Sequence, residues 1–114
     1  MNIDDITYQI RGAIFEVNRV LGHGYLEKVY EKALMIELRN RGLGVVNQVP
    51  LKVTYKEEIV GEYFADLLVE GRVIVEIKAV KHLLKEHQAQ LLNYLKATGN
   101  HVGLLVNFIT IKLK

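Results

Sequence analysis

A chain of 114 residues has room for one hydrophobic core without a linker, and its half-hydrophobic, quarter-charged make-up is that of a folded domain rather than a disordered one. The absence of cysteine excludes a disulfide scaffold, a thiolate zinc site and an iron–sulfur cluster, and suits a reducing cytoplasm. A net charge of +2 does not imply a polyanionic partner by itself, so any nucleic-acid binding has to come from local clustering.

The opening MNIDDITYQIRG carries two acids and no apolar stretch, unlike a secretory leader. No apolar run approaches the ~20 residues that span a bilayer, so no membrane association is expected. Residues 4–21 read as a helix: Ile6, Ile10, Ala13, Ile14, Val17 and Leu21 recur at helical spacing, with Asp4 or Asp5 as the cap. Gly22 and Gly24 break it. A second helix runs from about Leu26 to Asn40, with Gly42 as its stop.

The next stretch is rich in Val, Ile, Tyr and Phe. Val49, Leu51, Val53 and Tyr55 alternate with polar residues and Pro50, the period of a half-exposed strand. Lys56-Glu57-Glu58 turns the chain back and Glu70-Gly71-Arg72 turns it again, which predicts a three-stranded meander. Lys85 to Thr98 reads as a helix ended by Gly99, and HVGLLVNF as a final strand. Strand, helix, strand in that order predicts a parallel pairing through a right-handed crossover. The expected architecture is a mixed sheet covered by helices, an α/β (α+β) fold in a single domain over residues 1–114.

The hairpin YFADLLVEGRVIVEIKA places charge where a core strand would carry Val or Leu. A three-residue Glu70-Gly71-Arg72 loop pairs Val69 with Val73, and that register sets Asp66 opposite Glu76. Directly opposed side chains have Cβ atoms ~4.5–5.5 Å apart, so two carboxylates are forced together unless a proton or cation separates them. Lys78, two residues beyond Glu76, shares their face, while Leu67, Val69, Val73, Val75 and Ile77 make the core face. Two carboxylates from adjacent strands suit a hard divalent ion such as magnesium, and the lysine can orient water or offset phosphate charge. The plain alternative is a Glu76–Lys78 ion pair with Asp66 solvated.

Two helices can complete such a site. On the second, Glu27 shares a side with Tyr30, Glu31 and Leu34. It is either a further ligand or an acid favoured by the helix dipole. On the last helix Gln90 and Tyr94 face one way, with His87 one turn earlier. They can bond a phosphate or water, or form the polar edge of an amphipathic helix. Lys78, Lys81, His82, Lys85 and His87 cluster, and Lys96 and His101 extend the stripe along one edge, toward a nucleic-acid backbone or toward solvent.

Gly24-Tyr25-Leu26-Glu27-Lys28-Val29-Tyr30 resembles the GxxExxY signature of a small bacterial and archaeal family placed in the PD-(D/E)XK nuclease superfamily. Asp66, Glu76 and Lys78 take the places of its D…(D/E)xK core, and Gln90-x3-Tyr94 resembles the QxxxY element of RecB-like members. Ala65 stands where the superfamily's proline would. The resemblance implies a restriction-endonuclease-like αβββαβ core preceded by an extra N-terminal helix. It also implies phosphodiester hydrolysis dependent on Mg2+ or Mn2+, with DNA favoured over RNA. Asp66, Glu76, Glu27 and the Ile77 carbonyl would bind metal, Lys78 would be the catalytic lysine, and Gln90 and Tyr94 would position substrate or water. Tyr30, Lys81, His87 and Tyr94 would meet substrate. A homodimer is compatible with so small a domain gripping duplex, and a nuclease fold that binds without cutting is the alternative.

Overall fold

The computed structural model describes residues 1–99 and 102–109. Seven elements follow in chain order: α1 (Ile3–Leu21), α2 (Glu27–Asn40), β1 (Val45–Tyr55), β2 (Glu58–Val69), β3 (Val73–Lys78), α3 (Lys85–Thr98) and β4 (Val102–Asn107). The sheet order is β1-β2-β3-β4, antiparallel except for the parallel β3–β4 pair. This is the expected mixed sheet, and the αβββαβ order follows once α1 is set aside as the extra helix. His101, expected to open the last strand and extend the basic stripe, lies outside the described residues.

The helix N-terminus differs from the expectation. Asn2, not Asp4 or Asp5, caps α1, because its extended backbone lets the side chain accept the Asp5 N–H at 2.9 Å. The two aspartates occupy the first turn instead, where their charge meets the positive end of the helix dipole. The β1–β2 turn is tighter than expected. Lys56 and Glu57 alone make it, with φ of 49° and 71°, and Glu58 already belongs to β2. Positive φ at both central residues gives the twist that a two-residue hairpin needs.

Two cores flank the sheet. Val73, Val75 and Ile77 of β3 pack with Ile6, Ile10, Leu34 and Leu38 of α1 and α2. Ile74, on the opposite pleat, packs with Leu51, Leu91 and Tyr94 against α3. Gly103 allows α3 to come this close: a Cβ there would meet Leu91 Cδ1 at 2.8 Å and Leu95 Cδ2 at 3.1 Å.

Strict alternation fails in one row of the sheet. Ala65 belongs to the α3-side core and Leu67 to the α1/α2-side core, although residues two apart on a strand share a face. β1 behaves alike: Val49, the partner of Ala65, packs on the α3 side, and Val45, the partner of Val69, on the other. Between them lie Asp66 and Gln48, and Gln48 has φ of 50°, a left-handed conformation unusual inside a strand. Both strands therefore turn over at one row, and that row carries the first acid of the hairpin.

Candidate active site

The hairpin register is the expected one. Val69 pairs with Val73 and Leu67 with Val75, so one further step sets Asp66 across from Glu76. There the carboxylates replace main-chain partners. The Asp66 N–H donates to Glu76 Oε1 at 3.1 Å, and the Ile77 N–H donates to Asp66 Oδ2 at 2.7 Å. Glu76 is buried, 4% exposed, and Asp66 is half-buried.

Burial sets their electrostatics. Desolvation and then the charge of Asp66 push the Glu76 carboxyl up to about 7, against smaller lowering effects from the Asp66 N–H and Lys78. Asp66 is also raised, first by burial and then by the charge of Glu31, opposed by the Ile77 N–H, Lys78 and Gln48. Lys78 acts on both acids through space, yet among the described residues no ion pair joins it to either one. The simple Glu76–Lys78 pair is thus not what the structure forms.

α2 supplies two more acids, each tied to the site differently. Glu27, in its first turn, accepts the Ala79 N–H at 3.1 Å, directly after Lys78, and its charge is felt at Glu76. The residues around it explain the local motif. Gly24 has φ of 106°, which a side chain would resist. Tyr30 is fully buried, stacks on Phe108 at 4.3 Å, and donates its hydroxyl to the Gly22 carbonyl at 2.6 Å. Tyr30 therefore does not reach a substrate surface; it pins the segment before α2 so that Glu27 meets the end of β3. Asn107 closes the same end, its side chain bonding both the N–H and the carbonyl of Val80.

Glu31, which sequence reading left without a role, is 4% exposed. It accepts from Gln48 Nε2 at 2.8 Å and from Asn47 Nδ2 at 3.3 Å. Gln48 Nε2 also lies 3.5 Å from Asp66 Oδ1, so one amide bridges two acids. The left-handed Gln48 backbone is thus placed beside the site, where such strain commonly collects. The signal for Glu31 was its helical spacing with Glu27 and with buried Leu34.

On α3 the predicted residues separate. Tyr94 is buried and close enough to the acids that, after desolvation, the charges of Glu76 and Asp66 help raise its phenol to about 12. Gln90 is half-buried one turn earlier. His87 is engaged at the helix start, where its Nδ1 accepts the Leu84 N–H at 3.0 Å, so it acts as a cap. Lys81 and His82, between β3 and α3, and Lys85, the first residue of α3, are exposed. Among the described residues no three His, Asp or Glu side chains are placed to enclose a metal ion. The pair Asp66 and Glu76 nonetheless fits a hard cation: both groups are oxygen donors, Glu76 is buried and Asp66 half-buried, and burial with neighbouring acids makes each resist ionisation. Two carboxylates with the remaining positions left to water and phosphate is the usual way of holding magnesium.

A sheet whose hairpin carries Asp66 and Glu76 at one row and Lys78 two residues beyond, closed by α2 and α3, defines a restriction-endonuclease-like core. A family model of the PD-(D/E)XK nuclease superfamily matches residues 4–114, and the chain belongs to that superfamily. No curated protein and no solved structure gives a match to the chain. Among the described residues no helix is long and apolar enough to cross a membrane.

Proposed function

We propose that the chain is a nuclease that hydrolyses phosphodiester bonds, of DNA ahead of RNA, with a magnesium or manganese ion at Asp66 and Glu76. The observation that carries the reading is the pair itself: two carboxylates across one hairpin row, raised by burial, with a lysine on the same face that neither captures. Such a cluster stabilises the fold poorly when empty, and perturbed groups of this kind gather where chemistry is done. Glu27 and the Ile77 carbonyl are the adjoining oxygens that would complete the ligand set.

A divalent ion at this place supplies Lewis-acid stabilisation of phosphoryl charge and lowers the pKa of water. The protein's own groups do the rest. Lys78 holds the attacking water in line with phosphorus and offsets charge on the non-bridging oxygens as the leaving P–O bond breaks. Gln90 and Tyr94 position substrate from α3, and the exposed Lys81 and Lys85 meet its backbone. The test is cleavage of labelled oligonucleotides with Mn2+, Mg2+ or EDTA, by wild type and Lys78→Ala. Metal-dependent turnover that falls at least about a hundredfold in the variant supports the reading.

A second reading is favoured by one observation, the lack of a three-residue metal cluster among the described residues. It is a nuclease-fold module that binds nucleic acid or a protein without cutting. Binding unaffected by metal and no turnover under any of these conditions would establish it instead.

A further inference from the structure

Between the β1–β2 hairpin and α3 lies a cleft of about 590 Å3, within the ~300–1,000 Å3 of ordinary ligand sites. Lys52 and Thr54 of β1, Tyr63 of β2, and Asn93, Tyr94 and Lys96 of α3 give it its polar groups, and no carboxylate lines it. Lysines thus line both walls of the cleft, and its Tyr94 packs in one core with Ala65, the residue before Asp66.

Tyr63 is the residue that needs explaining. It is a large aromatic side chain left 45% exposed, its ring centroid 5.7 Å from that of buried Tyr94 and tilted by 55°. Tyr94 belongs to both places. It lines the cleft, and besides burial it feels the charges of Glu76 and Asp66 and then of Tyr63. Tyr94 packs with Ala65, next to Asp66, and its ring lies 5.7 Å from that of Tyr63. A strand with a phosphate at the acids and a course past Tyr94 would therefore meet Tyr63 in the cleft that Lys52 and Lys96 line.

An open aromatic ring flanked by cations is the arrangement that binds single strands, because each unpaired base offers a face to stack and each phosphate a charge to neutralise. A base within a duplex is already stacked on its neighbours and cannot use the ring. We propose that this cleft is a single-strand subsite, in which an unpaired nucleotide beside the scissile phosphate stacks on Tyr63 while Lys52 and Lys96 hold the flanking phosphates. The inference rests on the nuclease reading of the adjoining acids. It makes single strands, overhangs and frayed ends the substrate class, in preference to intact duplex.

The test is fluorescence anisotropy in EDTA, where nothing is cleaved, with a labelled oligothymidylate of about a dozen nucleotides and a duplex of equal length. The wild type should bind the single strand more tightly. Tyr63→Ala should weaken that binding roughly tenfold and Tyr63→Phe should restore it, since the ring and not the hydroxyl stacks. Lys52→Gln with Lys96→Gln, both at exposed positions, should flatten the salt dependence by about 0.7 in log–log slope for each lysine removed. Tighter binding of duplex, or a Tyr63→Ala protein that binds single strand as wild type does, overturns the subsite. If the wild type cleaves while Tyr63→Ala binds normally, the nuclease reading survives and the subsite falls. If Tyr63-dependent binding appears without any cleavage, the subsite stands and the catalytic reading falls.

Discussion

The backbone N–H of Asp66 donates to the carboxylate of Glu76 at 3.1 Å, and the N–H after Glu76 donates back to Asp66 at 2.7 Å. The main-chain register between β2 and β3 ends one residue earlier, at Leu67 and Val75. The two acids therefore hold together the strands that hold them. A cation bound here would draw on oxygens that also serve the fold.

Replacement of Asp66 should consequently depend on the substitute. Asp66→Asn keeps an oxygen for the Ile77 N–H and removes a charge from a buried pair. Asp66→Ala leaves that buried amide without an acceptor, at about 1–3 kcal/mol. In EDTA near neutral pH the Asn variant should melt at or above wild type. The Ala variant should melt lower than Asn by several degrees, at ~4–8 °C per kcal/mol for a domain of about this size. Equal melting of the two variants in calorimetry would contradict the assigned hydrogen bond.

The pH dependence of stability follows from Glu76, whose carboxyl rises from 4.5 to about 7 on folding. Below the lower value both states hold the proton and burial of charge costs nothing. Between the two values the folded state holds more protons than the unfolded one, so stability falls as pH rises, and above about 7 the loss is complete. Asp66, also raised, acts in the same direction. The metal-free protein should therefore lose melting temperature from about pH 4.5 to about pH 7, with a shallower slope in Glu76→Gln. Added Mn2+ should oppose the loss, because binding requires the deprotonated carboxyl.

Tyr30→Phe removes the hydroxyl bonded to the Gly22 carbonyl and keeps the ring stacked on Phe108. The loss should be about 1 kcal/mol in urea unfolding, with the segment before α2 loosened and activity through Glu27 reduced. Tyr30→Ala should cost ~3–5 kcal/mol. An unchanged stability for Tyr30→Phe would place the hydroxyl elsewhere.

Gly103→Ala tests how the sheet positions α3. The added methyl would press on Leu91 and Leu95. Overpacking of this kind costs ~1–3 kcal/mol, and the helix it displaces carries Tyr94. Stability and substrate affinity should fall together, and a variant that loses neither would separate α3 from the site.

How far the sequence showed this site depends on the element. The hairpin was readable because a three-residue loop fixes its register, and register alone sets Asp66 against Glu76. The mixed sheet was readable from the order of strands and helices. Tyr30 was mistaken for a surface group, although its spacing with Leu34 and Leu38 is that of a buried helix face. Glu31 shares a helix side with Glu27 and Leu34 but has no role legible in the sequence, because an acid on a helix ordinarily faces solvent and only the fold shows that Asn47 and Gln48 satisfy it. The turnover of β1 and β2 at Gln48 and Asp66 has no counterpart in a period-two pattern, since Gln48 carries its positive φ without being glycine. His87 looked like a ligand, and its place three residues into the helix was instead that of a cap.

The most direct measurement is calorimetric titration of Mn2+ into the wild-type protein, beside Asp66→Asn and Glu76→Gln, at a pH near 7 and again about one unit higher. The account predicts binding by the wild type that strengthens with pH and releases a proton, and none in either variant. Wild-type binding that persists in both variants, or that shows no proton release, would contradict a metal site at Asp66 and Glu76.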